Sequence, residues 1–397
     1  MLRIRMYPAE NGDAFLLSAA GSNVLVDGGY AKTFDDHIQS DLLEIASRGE
    51  HLDLVIASHI DADHISGLIR FLTINEKSAA PKVVSVGQVW HNSLRSLTAI
   101  NDAAIRPTDR LILDAINRRG HPVQIGILPN GPKDISARQG SSLAALIRRG
   151  GYRWNDHDGA TSIAVERAPV FQLAGGNIRV IGPTQQRLDG LLKWWKGRLR
   201  QMGYNGPTGT GGEIDDAFEL VCEHAGESAA SRPVPVSARE RKDLEAVYDP
   251  DVSITNGSSI ATIIELGGAR VLMLADAWAE DVVPALRALE SHGHSMLFDA
   301  IKISHHGSLR NTSPELLRLV DAPRYIVSSN GNAHGHPDIE VLAAIVDRPA
   351  SFSRTLYFNY PTPASAFLRN HVSKSGASFT VHDKATDWIE IEGQTDD

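Results

Sequence analysis

Alternating apolar and polar positions predict strands at both ends of the chain, with helices between them. Residues 2–6 alternate apolar and basic side chains, as expected of a half-buried strand. The other predicted strands are 14–17, 23–26, 54–57, 83–90, 178–181, 258–265, 270–274, 300–303, 325–328, 355–358, 379–381 and 388–391. Apolar residues at helical spacing predict helices at 35–47, from 65 to 72, 94–119, 141–149, 188–200, 279–289, 314–320 and 337–345. This order predicts an α/β protein with layered sheets and helices outside.

Composition supports a globular chain and excludes several classes of protein. With 42% hydrophobic and 22% charged residues, the 397-residue chain is not of a disordered type. Apolar runs such as 271–274 are far too short to span a membrane, and residues 1–7 show no leader, so we expect a cytoplasmic protein. The single cysteine, Cys222, excludes an internal disulfide and a cysteine-rich zinc site. We expect one domain over 1–397, with a flexible insertion around 186–250.

The formal net charge of -9 argues against non-specific binding of nucleic acid by the protein as a whole. A polyanionic substrate then requires a local basic patch or a metal site. Lys193-Trp194-Trp195-Lys196, with Arg198 and Arg200, is one such patch, and it could stack on a single strand and neutralise it. The commoner interpretation of this pattern is an amphipathic helix with its tryptophans in the core.

The strongest chemical signal is His59-x-Asp61-x-Asp63-His64, between an apolar strand and a helix. A tight loop there can direct four potential ligands at one centre, and imidazole with carboxylate suits zinc, manganese or iron. The alternative is a polar loop in which Asp63 caps the following helix. Capping would leave two histidines and a second aspartate unexplained, so we predict a metal site.

This motif resembles the hallmark of the metallo-β-lactamase superfamily, His-x-His-x-Asp-His, with Asp61 in place of the second histidine. That variant resembles the hydrolase domain of ComEC-type competence proteins. The other similar segments, in the same order, are Gly12-Asp13-Ala14, Val26-Asp27-Gly28-Gly29, Asn256-Gly257-Ser258-Ser259 followed by 271–276, 302–308 with His305-His306-Gly307-Ser308, Ser328-Ser329-Asn330 and Gly335-His336-Pro337.

The resemblance implies an αββα sandwich, in which two mixed sheets lie face to face with helices outside and metal ions at one sheet edge. It also implies six metal ligands, which divide between two sites. His59 and Asp61 belong to the first site, Asp63, His64 and His305 to the second, and Asp276 bridges them. The family has a further histidine after its counterpart of strand 178–181, where this chain has Gly182-Pro183-Thr184. His91 or, less favoured, His157 replaces it, or His91 contacts the substrate; the expected cofactor is therefore one or two divalent ions, Zn²⁺ or Mn²⁺.

The resemblance further implies hydrolysis by a metal-bound hydroxide, because a bound metal lowers the pKa of water to about 7. Asp63 orients or deprotonates that water, and His336, Asn330 and Ser308 hold a phosphate oxygen or protonate the leaving group. His306 is expected to support a ligand or to contact the substrate.

The leading hypothesis is therefore a metal-dependent phosphodiesterase or nuclease. One alternative is a hydrolase of a small ester, lactone, thioester or cyclic nucleotide, and a second is a non-catalytic metal-binding scaffold. The expected partner is nucleic acid or another phosphodiester substrate. A role in repair, nucleotide turnover or defence would also allow a protein partner. No membrane partner is expected.

Overall fold

The computed structural model describes residues 1–99, 104–118, 142–167, 170–209, 211–223, 242–332 and 335–393. Their strands form two large sheets and one small hairpin. The first sheet has the order β16 (Trp388–Ile391), β1 (Leu2–Met6), β2 (Phe15–Ala19), β3 (Ser22–Val26), β4 (Leu52–Ile56) and β7 (Val86–Trp90). The second has the order β15 (Phe379–His382), β14 (Arg354–Phe358), β13 (Arg324–Val327), β12 (Ala300–Lys302), β11 (Ala269–Met273), β10 (Ala261–Leu266), β9 (Gly176–Gly182) and β8 (Phe171–Leu173). The hairpin pairs β5 (Glu76–Lys77) with β6 (Ala80–Pro81).

Both large sheets are mixed. In the first, β3, β4 and β7 are parallel, and the other neighbours are antiparallel. In the second, β11 to β15 are parallel, and β8 to β11 pair in antiparallel fashion. The carboxyl ends of parallel neighbours meet at one edge of a sheet, which is where α/β folds place their sites.

Helices connect the strands. They are α1 (Ala31–Thr33), α2 (Gln39–Ser47), α3 (Ala62–Asn75), α4 (Leu94–Leu97), α5 (Pro107–Arg118), α6 (Leu143–Gly150), α7 (Gln185–Gln201), α8 (Gly212–Glu223), α9 (Leu244–Val247), α10 (Ala279–Ser291), α11 (Pro314–Leu319), α12 (Ile339–Val346) and α13 (Pro363–Leu368). A π-helical turn, Phe34–Ile38, joins α1 to α2. Two 3₁₀ turns, Asn256–Ser258 and Ser304–Gly307, were not predicted from the sequence. Among the described helices, none has the length and apolar character needed to cross a bilayer.

Side-chain alternation along the strands builds three apolar layers. In β2, Phe15 and Leu17 pack between the two sheets, whereas Leu16 packs under the helices of the first sheet. In β11, Val271 packs between the sheets and Leu272 packs under the helices of the second sheet. The predicted αββα sandwich of two mixed sheets with helices outside is therefore confirmed.

The predicted insertion, 186–250, contains α7, α8 and α9, while residues 210 and 224–241 lie outside the described part of the chain. Trp195 of α7 and Phe218 of α8 are fully buried, with ring centroids 5.1 Å apart, in the helical layer of the first sheet. Trp195 therefore lies in the core, as the amphipathic interpretation predicts. Trp194 is only half-buried.

The helix predicted over 94–119 is not continuous, because the described residues separate α4 from α5. Residues 100–103 and 119 lie outside the described ranges, as does residue 141 at the start of the next predicted helix. Helices α8 and α13 were not predicted at all. Strand β8, at one edge of the second sheet, was not predicted either.

Two helix glycines should respond oppositely to alanine. A Cβ on Gly67 of α3 would overlap the carbonyl oxygen of Gly28, whereas a Cβ on Gly197 of α7 meets nothing within 4 Å. We expect Gly67→Ala to lower the free energy of unfolding by about 1–3 kcal/mol through overpacking. Gly197→Ala should raise it by up to about 1 kcal/mol through helix propensity. Urea denaturation of both variants measures this, and equal effects would contradict the close packing of α3 on the strand end.

Candidate metal centre

Polar side chains collect at the carboxyl ends of strands from both sheets. His59 follows β4, and the chain then enters α3, whose first turn carries Asp63 and His64. Asp276 follows β11, and the Ser304–Gly307 turn with its two histidines follows β12. The histidine–aspartate cluster formed in this way comprises His59, Asp61, Asp63, His64, Asp276, His305 and His306.

One carboxylate oxygen, Asp276 Oδ2, lies at the centre of this cluster. Four imidazole Nε2 atoms lie within 4 Å of it. The distances are 3.8 Å for His59, 3.5 Å for His64, 3.7 Å for His305 and 3.9 Å for His306. These spacings are too long for hydrogen bonds and leave room for an ion between the donor atoms. Nitrogen and carboxylate donors of this kind suit a divalent transition metal.

The other ring nitrogen of each histidine is held by the protein. His59 Nδ1 lies 3.1 Å from Ser58 Oγ, His64 Nδ1 2.9 Å from Asp27 Oδ2, His305 Nδ1 2.8 Å from Asn311 Oδ1, and His306 Nδ1 2.8 Å from the Ser328 carbonyl oxygen. Ser58 Oγ donates to Asp27 Oδ2 at 2.7 Å, so it accepts from His59. Each Nδ1 is therefore engaged by the protein and each Nε2 faces the cluster, as in histidines that ligate metals.

Several buried polar atoms of the cluster have no hydrogen-bond partner among the residues that the structure describes. They are Nε2 of His59, His64 and His306, and Oδ1 of Asp61 and Asp276. A buried polar atom without a partner costs about 1–3 kcal/mol, so a convergent set requires an explanation. A divalent ion ligated by the three Nε2 atoms would satisfy them together. The residues present thus fit the ion that the motif predicts.

Charge within the cluster shifts the pKa values of its members. Burial alone would raise the pKa of Asp276, but His305, His64 and His306 hold it well below its ordinary value. Burial alone would lower the pKa of His64, but Asp276, Asp27 and Asp63 raise it well above its ordinary value. The Asp276 carboxylate is therefore ionised at neutral pH and available as a ligand.

Lys302, from within β12, places a buried cation behind the cluster. Its Nζ forms an ion pair with Asp13, donates to the Ala275 carbonyl oxygen at 3.0 Å and lies 3.9 Å from Asp276 Oδ1. Lys302 and the two aspartates are almost completely buried. The pKa of Asp13 is accordingly held well below its ordinary value, since the charges of Lys302 and His306 outweigh burial. Lys302 therefore directs Asp276 so that its other oxygen faces the histidines.

Backbone strain also concentrates at this edge. Asp27, Ala275, His305 and His306 adopt left-handed conformations with φ of 57°, 47°, 45° and 55°. Such conformations cost about 1–3 kcal/mol for a residue with a side chain and are concentrated at functional sites. Here they turn the chain sharply after β3, β11 and β12, which brings the three strand ends to one point.

His306 presents its own Nε2 atom to the cluster and does not only hold another ligand in place. Its Nε2 is 3.8 Å from Asp63 Oδ2, and with Asp63 and His64 it forms one of the groups whose ligand atoms lie within 4.8 Å of one another. A second such group is His59, His64 and Asp276. His305 is the more exposed of the pair, with 21% of its side chain accessible. The structure therefore offers His306, beside the predicted His305, as a ligand.

Asp61 joins the cluster instead of capping α3. It occupies the N-cap position of the helix, but its side chain makes no capping hydrogen bond. Its Oδ2 lies 3.6 Å from His59 Nε2 and accepts from Thr255 Oγ1 at 3.1 Å. Where the family has its further histidine, Thr184 follows β9 and caps α7 through its hydroxyl. The alternative that Asp63 caps the helix is not supported, because Asp63 lies within the first turn and Asp61 at the N-cap position makes no capping hydrogen bond.

Three of the predicted substrate-side residues, His336, Ser308 and Asn330, lie in the loops that follow β12 and β13. The His336 ring lies 5.2 Å from that of His305, and its Nδ1 is 3.2 Å from Asp338 Oδ2. Burial lowers the pKa of His336, so its ring is neutral at neutral pH. The Ser308 hydroxyl accepts from the Arg310 backbone N–H at 3.2 Å. Asn330 is half-buried, and its side-chain oxygen accepts from the Asn332 backbone N–H.

His91 is engaged elsewhere. Its Nε2 lies 2.7 Å from Glu219 Oε1 of α8, and its ring stacks on Trp154. Glu219 also accepts from the backbone N–H groups of Leu143 and Ala144 at the start of α6. Among the described residues, His91 is not part of any group of ligand atoms within 4.8 Å of one another. His157 is exposed on a loop.

We expect His91→Ala to destabilise the fold, because Glu219 would lose its buried imidazole partner. The loss should be about 1–3 kcal/mol in the free energy of unfolding. Urea denaturation of the metal-free protein measures it. A variant of unchanged stability but raised KM would instead favour the predicted contact with substrate.

Lys302, Asp13, Asp27 and the histidine-holding Asn311 were not among the predicted site residues. A signal for Lys302 exists in the sequence, since it is the one charged residue in an otherwise apolar strand. Asp27 likewise directly follows a buried strand. Asn311 has no comparable signal, because it contacts His305 from a loop.

Comparison with known proteins agrees with the motif. Residues 7–84 match the sequence model of the family described as the metallo-beta-lactamase superfamily. No curated protein matches the chain. Among solved structures, the metallo-beta-lactamase fold protein YhfI from Bacillus subtilis is 10% identical with a TM-score of 0.38, over 98% of this chain and 100% of that chain. A mutant of the β-hydroxylase CmlA is 12% identical with a TM-score of 0.34, over 96% of this chain and 52% of that chain.

Both structural likenesses are too distant to support a function for this chain. The segment that matches the family model, 7–84, contains His59, Asp61, Asp63 and His64.

Proposed function

We propose that this protein, whose residues 7–84 carry a metallo-β-lactamase superfamily domain, is a metal-dependent phosphodiesterase acting on nucleic acid. Members of the superfamily are generally metal-dependent hydrolases. The observation that carries the proposal is the convergence of four imidazole Nε2 atoms on Asp276 Oδ2.

The phosphodiester substrate is supported by the motif order, which resembles that of the ComEC-type hydrolase domain. The donor set bears on the metal: it is rich in carboxylate, with Asp61, Asp63 and Asp276, which shifts preference toward harder ions such as Mn²⁺. When bound, one or two divalent ions, Zn²⁺ or Mn²⁺, would supply Lewis-acid activation of water and of a phosphoryl group. Asp276 and the four imidazoles around it, those of His59, His64, His305 and His306, would hold them, with Asp61 and Asp63 beside these ligands.

Asp63 is the carboxylate that we assign to the attacking water. Its side chain is 20% exposed, whereas that of Asp276 is 4% exposed, so Asp63 lies between the buried ligands and the solvent. Asn11 Nδ2 donates to Asp63 Oδ2 at 3.1 Å and fixes the carboxylate. Asp63 is thus placed to orient a water molecule and accept its proton.

His336 we assign to the substrate side. Its Nδ1 lies 3.2 Å from Asp338 Oδ2, and its ring lies 5.2 Å from that of His305. We propose that His336, Asn330 and Ser308 position a phosphate oxygen or the leaving group. The predicted cytoplasmic location of the protein stays a prediction.

Alanine at Asp63 and at His64 should each abolish metal-dependent hydrolysis, with a loss of at least about 100-fold. The assay follows cleavage of single- and double-stranded DNA and RNA with added Mn²⁺ or Zn²⁺. Asp36→Ala, which removes an exposed carboxylate from the turn before α2, is the matched control and should cleave like the wild type. Unchanged activity in both cluster variants would contradict the site assignment.

The substrate class is tested by length. A nuclease should cleave oligonucleotides faster than mononucleotide esters. Turnover of small esters or cyclic nucleotides alone would contradict the nuclease proposal and favour the small-ester alternative. A wild-type protein that binds no divalent ion would favour the scaffold alternative.

A further inference from the structure

The helix α7 carries an excess of positive charge on an acidic protein. Its 17 residues include five basic side chains, Arg187, Lys193, Lys196, Arg198 and Arg200, against one acidic side chain, Asp189. The whole chain has a formal net charge of -9. A cationic face on such a protein is a local feature that the overall charge does not explain.

Helical periodicity places these cations on the solvent side. Leu188, Leu191, Trp195 and Leu199 are buried and define the core face of the helix. Lys193, Lys196 and Arg200 recur at three- and four-residue spacing and form one strip along the outer side. The same strip contains the exposed Asp189, four residues before Lys193. Arg187, Trp194 and Arg198 form a second strip, in which Arg198 lies over the half-buried Trp194 ring at 5.9 Å. The two strips flank a solvent-facing line that contains Gly190 and Gly197.

The first strip keeps an excess of positive charge. In the described part of the chain, Lys193, Lys196 and Arg200 have no carboxylate within ion-pair distance, whereas Arg187 pairs with Asp281 at 2.7 Å. With Asp189 included, the strip still has a net positive charge for an external partner.

The two glycines are not needed by the fold either. A Cβ on Gly190 or Gly197 would meet nothing within 4 Å. Glycine in a helix interior costs about 1 kcal/mol relative to alanine. Because neither glycine has a side chain, a polyanion backbone can approach the helix closely between the two basic strips.

The first turn of α7 lies beside the candidate metal centre. Arg187 stacks on Trp278 at 4.2 Å, and Trp278 in turn packs against Gly257. The neighbouring Asn256 lies 3.4 Å from His305 Nδ1. At 1.5 Å per residue, the helix extends about 25 Å from this point. A strand bound along α7 would therefore lead toward the cluster.

We propose that α7 binds single-stranded nucleic acid, with Lys193, Lys196 and Arg200 on phosphates and Trp194 stacked on a base. The inference rests on the proposed function for its substrate class and adds the surface that holds the strand. Cations without an ion-pair partner in the described part of the chain, next to a partly exposed aromatic ring, are features of single-strand binding sites. A lipid surface is disfavoured, because the outer side of α7 offers one half-buried tryptophan and no further large apolar side chain.

The experiment measures binding of the full-length protein to fluorescein-labelled oligothymidylate by anisotropy, in EDTA, over a series of KCl concentrations. The K193Q/K196Q/R200Q variant should bind more weakly, and its slope of log K against log salt should be smaller by about 2, at about 0.7 per phosphate contact. The control is K77Q/K82Q/K384Q, which removes three exposed lysines elsewhere and should bind like the wild type.

Stacking is tested separately. Trp194→Leu keeps an apolar side chain and should weaken binding about 10-fold, whereas Trp194→Phe should retain most of the affinity. Thermal denaturation confirms that each variant is folded.

The inference is overturned if the wild type does not bind the oligonucleotide, if the α7 triple variant binds with the wild-type salt slope, or if the control triple variant loses as much affinity. It is also overturned if anionic vesicles compete as well as the oligonucleotide. Because binding is measured in EDTA, it is independent of cleavage. Binding that depends on α7 without metal-dependent cleavage would support the surface and contradict the proposed function.

Discussion

Replacing Asp276 with asparagine is expected to remove the bound metal and to reduce hydrolysis by at least about 100-fold. Substituting a residue that only hydrogen-bonds to a metal ligand costs up to about 100-fold, so loss of a ligand itself should cost at least as much. Asparagine keeps the shape of the side chain but has no charge, and Asp276 Oδ2 is the atom on which four imidazole Nε2 atoms converge. Elemental analysis of the purified variant and the cleavage assay measure the two effects.

Asp36→Asn is the matched control for this experiment, because Asp36 is an exposed carboxylate on the turn before α2. It should retain both metal and activity. If Asp276→Asn bound metal as the wild type does, Asp276 would not be a ligand and the cluster would need another centre.

Replacing Lys302 with methionine should lower the free energy of unfolding by about 3–5 kcal/mol, as expected when one partner of a buried ion pair is removed. Lys302 is fully buried against Asp13 and lies 3.9 Å from Asp276 Oδ1, so the variant leaves two buried carboxylates without their cation. Urea denaturation in EDTA at neutral pH measures the loss without any contribution from bound metal.

The double variant D13N/K302M separates this electrostatic effect from simple loss of packing. It removes the stranded carboxylate together with its cation, and we expect it to regain at least half of the lost stability. A double variant no more stable than Lys302→Met would contradict the ion-pair account.

The pH dependence of this contribution has a defined sign. The pKa of Asp13 is lowered in the folded protein, so its stabilisation is present above the unfolded-state pKa of about 3.9 and is lost as the pH falls through the lower folded-state value. The difference in stability between the wild type and Lys302→Met should therefore be full at neutral pH and shrink in strong acid.

Local patterns were sufficient for most of the fold. The predicted strands at 2–6 and 388–391 match β1 and β16 residue for residue, because their alternation faces the apolar layer between the sheets. Helix α8 was missed although Ile214, Ala217, Phe218 and Val221 recur at helical spacing. The glycine-rich segment before it is typical of a flexible insertion, and it masks the short helical pattern that follows.

The site residues also fall into those that a local pattern predicts and those that it does not. The residues of His59-x-Asp61-x-Asp63-His64 lie within one loop and one helical turn, so their convergence is local and visible in sequence. The pairing of Lys302 with Asp13, and of His91 with Glu219, joins residues far apart in the chain. Such contacts depend on how the two sheets and α8 pack, which no local pattern encodes.

The central claim, that the histidine–aspartate cluster is a divalent metal site, is tested most directly by calorimetric titration of the metal-free protein with Mn²⁺ and with Zn²⁺. The account predicts saturable binding of at least one ion per chain that is lost in Asp276→Asn. Absence of binding to the wild type, or unchanged binding to Asp276→Asn, would contradict it.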